Sequence, residues 1–258
     1  MPADVAPQKD TDAPQQIAKL SVVFWGHACV GVHIDGEPTL LIDPFDPAGL
    51  GAVEGPPPIP VEYPWVIATH EHSDHAAFHT QPNAQVIAAP GQHGPLTLDY
   101  RVAAHDPLGG RLRGGTVRLL EVRALGKRII HCSDLGERPD GPLLDWLSTP
   151  TADLLVIPAG GYFTLNADGA AELVARANPR AAFFCHTKDD GLPLNELDPQ
   201  DLVEKRTAHW PQHHTNELRF DNDTHSAALT TSPQPLIVHL QRPDGLPLSP
   251  SQHPGENG

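Results

Sequence analysis

The heptapeptide Thr69-His70-Glu71-His72-Ser73-Asp74-His75 concentrates metal-ligating side chains: His70, His72, Asp74 and His75, with Glu71 as a further carboxylate. It follows Trp65-Val66-Ile67-Ala68, an apolar run that reads as a buried strand. Successive side chains of an extended chain point to opposite faces. His70 and His72 therefore share a face and can grip one ion, provided strand geometry persists that far. Asp74 and His75 fall where the chain must turn, beside a second ion. Neutral imidazole and carboxylate suit zinc, and also manganese or iron, better than calcium. A lone HxH is common by chance, whereas HxHxDH straight after an apolar strand is far rarer.

Similar positions recur along the chain. Strand-like runs over 39–42, 65–68, 100–104, 128–131 and 181–185 are followed by Asp43, His70, His105, Asp134 and His186. Strand ends along one sheet edge open into a shared crevice, where ligands of α/β proteins usually bind. Further strands are expected over 20–25, 30–34, 84–89, 116–122, 154–158 and 236–240, with helices over 168–177 and 198–206. Asp35-Gly36 is a hairpin signal. The Gly/Pro-rich stretch 49–60 is a loop long enough to border a site.

The chain has 258 residues, with 17 basic and 32 acidic side chains and a formal charge of -15. That balance argues against nucleic-acid and anionic-lipid surfaces as partners, since phosphate contacts need clustered Lys and Arg. Arg101, Arg111 and Arg113 form the one local exception. Three cysteines, Cys29, Cys132 and Cys185, are not a disulfide framework, so they read as small buried residues of a protein in a reducing cytoplasm. Residues 1–16 read as a disordered tail without signal-peptide character, 17–243 as one domain and 244–258 as a second disordered tail. No apolar run approaches the roughly 20 residues of a membrane span. The expected partner is a small-molecule substrate, and a homo-oligomer is compatible with the sequence.

Taken together, these residues resemble the metallo-β-lactamase superfamily, and within it the branch of L-ascorbate-6-phosphate lactonase and related hydrolases. The segments that carry the resemblance are Trp25-Gly26-His27-Ala28, Leu41-Ile42-Asp43-Pro44-Phe45, residues 69–75, Ala104-His105-Asp106, His131-Cys132-Ser133-Asp134-Leu135-Gly136, residues 157–164 and Cys185-His186. The resemblance implies an α/β (α+β) fold, a four-layer αββα sandwich of two mixed sheets flanked by helices. It also implies two divalent ions, zinc preferred and manganese or iron as alternatives. One ion would sit on His70, His72 and His105 and the other on Asp74, His75 and His186. Asp134 would bridge them, and Asp43 would support the site through a ligand. Ser133 stands where the family usually has Gly.

His27 is expected as pocket wall or as a buried structural histidine, and Tyr162 and Thr164 as residues beside the pocket. Glu71 should point away from the metals, His131 should be a strand residue near them, and His93, His209, His213 and His214 should lie at the surface. Two ions ~3.5–4 Å apart would bridge a water and convert it to hydroxide at neutral pH. Asp134 and Asp74 then read as the catalytic carboxylates of a hydrolase acting on a small ester, lactone or phosphodiester. The alternatives are a phosphodiesterase or nuclease acting on nucleic acid, a thioester hydrolase or iron-dependent sulfur dioxygenase, and a non-catalytic metal-binding protein.

Overall fold

The computed structural model describes residues 18–51, 57–112, 115–188, 192–220 and 233–243. The two expected tails, 1–16 and 244–258, lie outside the described residues. Apolar runs along β1 (Leu20–Gly26), β2 (Cys29–Ile34) and β3 (Glu37–Ile42) build an antiparallel meander. Asp35 and Gly36, at φ +56° and +85°, turn the β2–β3 hairpin. Next come β4 (Trp65–Ile67), β5 (Gln85–Val86), β6 (Gly91–His93), β7 (Leu96–Ala104), β8 (Thr116–Ala124) and β9 (Lys127–His131). The chain continues through α1 (Gly141–Ser148), β10 (Leu154–Pro158), α2 (Ala167–Ala177), β11 (Ala181–Cys185) and α3 (Gln200–Thr207). It closes with β12 (Gln212–Thr215), β13 (Leu218–Arg219) and β14 (Leu236–Leu240).

Among the described residues these strands form two mixed sheets, ordered β13-β1-β2-β3-β4-β5 and β12-β14-β11-β10-β9-β8-β7-β6. Side-chain alternation sorts each strand into an inner and an outer face. Val22, Phe24, Val30 and Ile42 of the first sheet meet Leu120, Ile129, Val156 and Phe183 of the second in one shared core. The outer face of the second sheet, including Ile130, Leu155 and Phe184, packs under Leu147 of α1, Leu173 and Val174 of α2 and Val203 of α3. The outer face of the first sheet is covered by loop residues Phe45, Tyr63 and Leu192. Asn166 caps α2 by accepting the Gly169 N–H, and Asn178 ends it in the left-handed region at φ +46°.

Several elements differ from the sequence expectation. The run 84–89 yields only the two-residue strand β5, exposed on the sheet edge. β7 starts at Leu96 rather than 100, extended by its long pairing with β8. Strand geometry also stops at Ile67, so His70 and His72 are not brought together by β alternation. They lie on a turn-rich loop, pinned where the His75 and Ala76 amides both donate to His72 O at 3.0 Å.

Candidate metal centre

The strand ends deliver chemistry to one place. Asp43 directly follows β3, His105 follows β7 and His186 follows β11. Asp134 comes three residues after β9, and residues 70–75 form the loop after β4. Two groups of side chains result, each able to hold a metal ion: His70, His72, His105 and Asp134; and His27, Asp74, His75 and His186.

In the first group, His72 Nδ1 lies 3.0 Å from His70 Nε2 and 3.2 Å from His105 Nε2. Asp134 Oδ2 is 3.3 Å from His105 Nε2 and 3.7 Å from His70 Nε2. Donor atoms about 2.0–2.1 Å from one ion stand about 2.9–3.4 Å apart at tetrahedral or octahedral angles, so most of these separations are ligand-edge lengths. The loop presents Nε2 of His70 and Nδ1 of His72 to the same place.

Asp134 faces the second group as well. Its Oδ2 is 3.3 Å from His186 Nε2 and its Oδ1 is 3.2 Å from His75 Nε2. Asp74 Oδ2 stands 3.7 Å from His75 Nε2 and 3.1 Å from His27 Nε2. Despite this proximity, His75 Nε2, His186 Nε2 and Asp134 Oδ1 are buried and make no hydrogen bond. The outward Nδ1 atoms of His105 and His186 make none either. A buried polar atom left unsatisfied costs about 1–3 kcal/mol. Three such atoms converging from two strand ends and a loop fit divalent cations, which would satisfy all of them at once.

A second layer of hydrogen bonds holds these donors. Asp43, fully buried, accepts the Thr69 N–H at 2.7 Å, the Thr69 hydroxyl at 2.8 Å and His75 Nδ1–H at 2.9 Å. The Ser133 hydroxyl donates to Thr69 Oγ1 at 2.6 Å, and His70 Nδ1 lies 3.1 Å from the same oxygen. His131 accepts the Ser133 N–H at Nδ1 and donates Nε2–H to Ala28 O at 2.8 Å, locking the turn that carries Asp134. His27, Asp43, Ser133 and His186 all adopt left-handed φ of 51–54°. L-residues there cost roughly 1–2 kcal/mol each, strain that collects where surroundings over-determine a functional site.

The electrostatics call for positive charge. Burial would keep His75 neutral, yet Asp134 and Asp43 on its two nitrogens lift its pKa well above the usual imidazole value. Burial would likewise raise Asp134, but His186 and His75 beside it hold it well below the carboxylate range. Burial and the neighbouring His75 push His70 down to about 4, and burial with the neighbouring His186 does the same to His27. Neutral imidazoles and ionised carboxylates are the forms that bind metal, so His70, His27 and Asp134 already stand in that form, and an ion at His75 would displace the proton its two carboxylates hold there.

Other expected residues stand apart. Tyr162 is 59% exposed on the loop after β10, and Thr164 is buried, its hydroxyl donating to Gly161 O at 3.0 Å. Glu71 and His209 are exposed and His93 half-buried. His214 stacks on His239, and no metal-holding group includes His209, His213 or His214 among the described residues. Sequence reasoning placed His27 outside both ligand sets, although it too follows a strand, β1, at the cleft edge.

The chain is 26% identical over 207 residues to a UPF0173 metal-dependent hydrolase of Thermoplasma acidophilum, a match covering 70% of this chain and 88% of that one. It is similar to the solved structure of a proposed zinc-dependent hydrolase of the metallo-β-lactamase superfamily from Thermotoga maritima, at TM-score 0.61 and 21% identity. That match covers 86% of this chain and 100% of the other. It is also similar to CmlA, a diiron β-hydroxylase from Streptomyces venezuelae, at TM-score 0.54 and 12% identity over 87% of this chain and 53% of CmlA. Both structural likenesses speak to the fold. The β-lactamase superfamily domain matches residues 21–186, from β1 to the last histidine of the second group. This chain belongs to that family.

Proposed function

We propose that this protein is a hydrolase with two divalent cations, one in each side-chain group, acting on a small ester, lactone or phosphodiester. The observation that carries this reading is the place of Asp134, a member of the first group whose carboxylate lies within 3.2–3.3 Å of His75, His105 and His186 and so faces both groups. Zinc is the first choice on donor chemistry, with manganese and iron as competitors. Two such ions, once bound, would supply a water nucleophile activated near neutral pH and polarise the oxygen under attack.

The chain's own groups then hold and move protons. Asp134, held ionised between His75, His105 and His186, would anchor the cations and accept a hydrogen bond from the attacking water. Asp43 keeps the proton of His75 on Nδ1 and leaves Nε2 as a donor atom toward the cleft. Specificity would then lie with the loops that leave those strand ends, such as the one after β7 that carries the exposed Leu108.

Metal-stripped protein reconstituted separately with zinc, manganese or iron tests the reading against lactone, thioester and bis-aryl phosphodiester substrates. Hydrolysis of at least one class should vanish with a chelator and return with metal. Silence across all three, with both ions bound, would favour a binding protein over an enzyme.

A further inference from the structure

One imidazole in the cleft falls outside the ligand sets that the family resemblance implies. His27 occupies the turn between β1 and β2, buried and at φ +54°. It is held from two directions. Its carbonyl accepts the His186 N–H at 2.8 Å, and its Nε2 stands 3.1 Å from Asp74 Oδ2. Its ring centroid is 4.4 Å from that of His186 and 5.2 Å from that of His75. A single residue of the first sheet thus touches all three other members of the second group.

Asp74 needs such a hold. It lies on the loop after β4 and its side chain is one-fifth exposed, unlike the fully buried Asp43. Asp43 takes three hydrogen bonds, whereas the bond to His27 is the one side-chain hydrogen bond of Asp74 among the described residues. A ligating carboxylate without a fixed rotamer must be ordered at the moment the ion binds, and outer partners exist to remove that cost.

We propose that His27 is a positioning residue for the second cation: its Nε2–H donates to Asp74 Oδ2 and fixes that carboxylate against His75 and His186. The assignment rests on the two-ion reading and adds to it a residue that reaches the metal only through Asp74.

Titration of metal-free full-length protein with zinc, competed by a chromophoric chelator, tests it in wild type, His27→Ala and His27→Gln. Wild type should bind two ions. His27→Ala should keep the first at unchanged affinity and bind the second about 10–100-fold more weakly. His27→Gln, whose amide nitrogen can occupy the place of Nε2, should recover most of that loss, which a merely space-filling role would not allow. Two ions bound as tightly by His27→Ala as by wild type would overturn the proposal. So would a folded His27→Gln as weak as the alanine variant, and this arm stands even if His27→Ala does not fold. Wild type binding fewer than two ions would instead remove the two-ion reading, and this assignment with it.

Discussion

Asp43 Oδ2 lies 2.9 Å from His75 Nδ1, and both side chains are fully buried. With two further bonds from Thr69, Asp43 has a fixed orientation, and it aims the opposite nitrogen of His75 at Asp134. Asp43→Asn keeps the volume but sets an amide against the ring. It should weaken metal binding about 10–100-fold, read by chelator competition. Affinity equal to wild type would show that the pair does not serve the metal.

Ser133 combines a strained backbone, φ +52°, with a hydroxyl that donates to Thr69. Ser133→Ala loses the hydrogen bond and keeps the strain. Ser133→Gly loses the bond but releases the strain. Urea unfolding should therefore find the glycine variant more stable than the alanine variant by about 1 kcal/mol. The reverse order would contradict a strained site backbone.

Two glycines let the backbones approach at the cleft. A Cβ on Gly136 would stand 2.3 Å from His105 O, and one on Gly160 would stand 2.1 Å from His186 O. Each contact is with backbone, so the histidine must move. Gly136→Ala should weaken the ion at the first group and Gly160→Ala the ion at the second, measured as metal retained after dialysis. Full retention by both folded variants would show that the two strand ends tolerate displacement.

Burial pushes the Cys132 thiol up to about 12, and burial together with Asp43 pushes Cys29 well above its ordinary value. The thiolate is the reactive form, and at pH 8 its fraction at either residue is small. Iodoacetamide should label neither cysteine in the native protein at pH 8 and both after unfolding in urea. Rapid native labelling would contradict the burial of Cys29 in β2 and of Cys132 just after β9.

How much of this was legible in the sequence depends on how local each feature is. His70, His72, Asp74 and His75 announce themselves because they fall within six consecutive positions. Asp43, His105, Asp134 and His186 are readable because strands end in apolar runs and sheets gather their ends. The pairing of His70 with His72 was anticipated from the wrong geometry, a strand in place of a loop, because nothing local marks where β4 stops. α1 was missed since eight residues show too little period, and β12 because Gln212-His213-His214-Thr215 is polar. The nearness of His27 to Asp74 spans 47 positions and arises only when the first sheet brings the end of β1 and the loop after β4, with two strands between them in its order, to one edge.

The central claim is that two cations share Asp134. Its most direct test is elemental analysis of protein purified without added metal, comparing wild type with Asp134→Ala and with His213→Ala as a control outside both groups. Wild type and His213→Ala should each carry two ions per chain, and Asp134→Ala should lose metal from both groups. Two tightly held ions in folded Asp134→Ala would contradict the account.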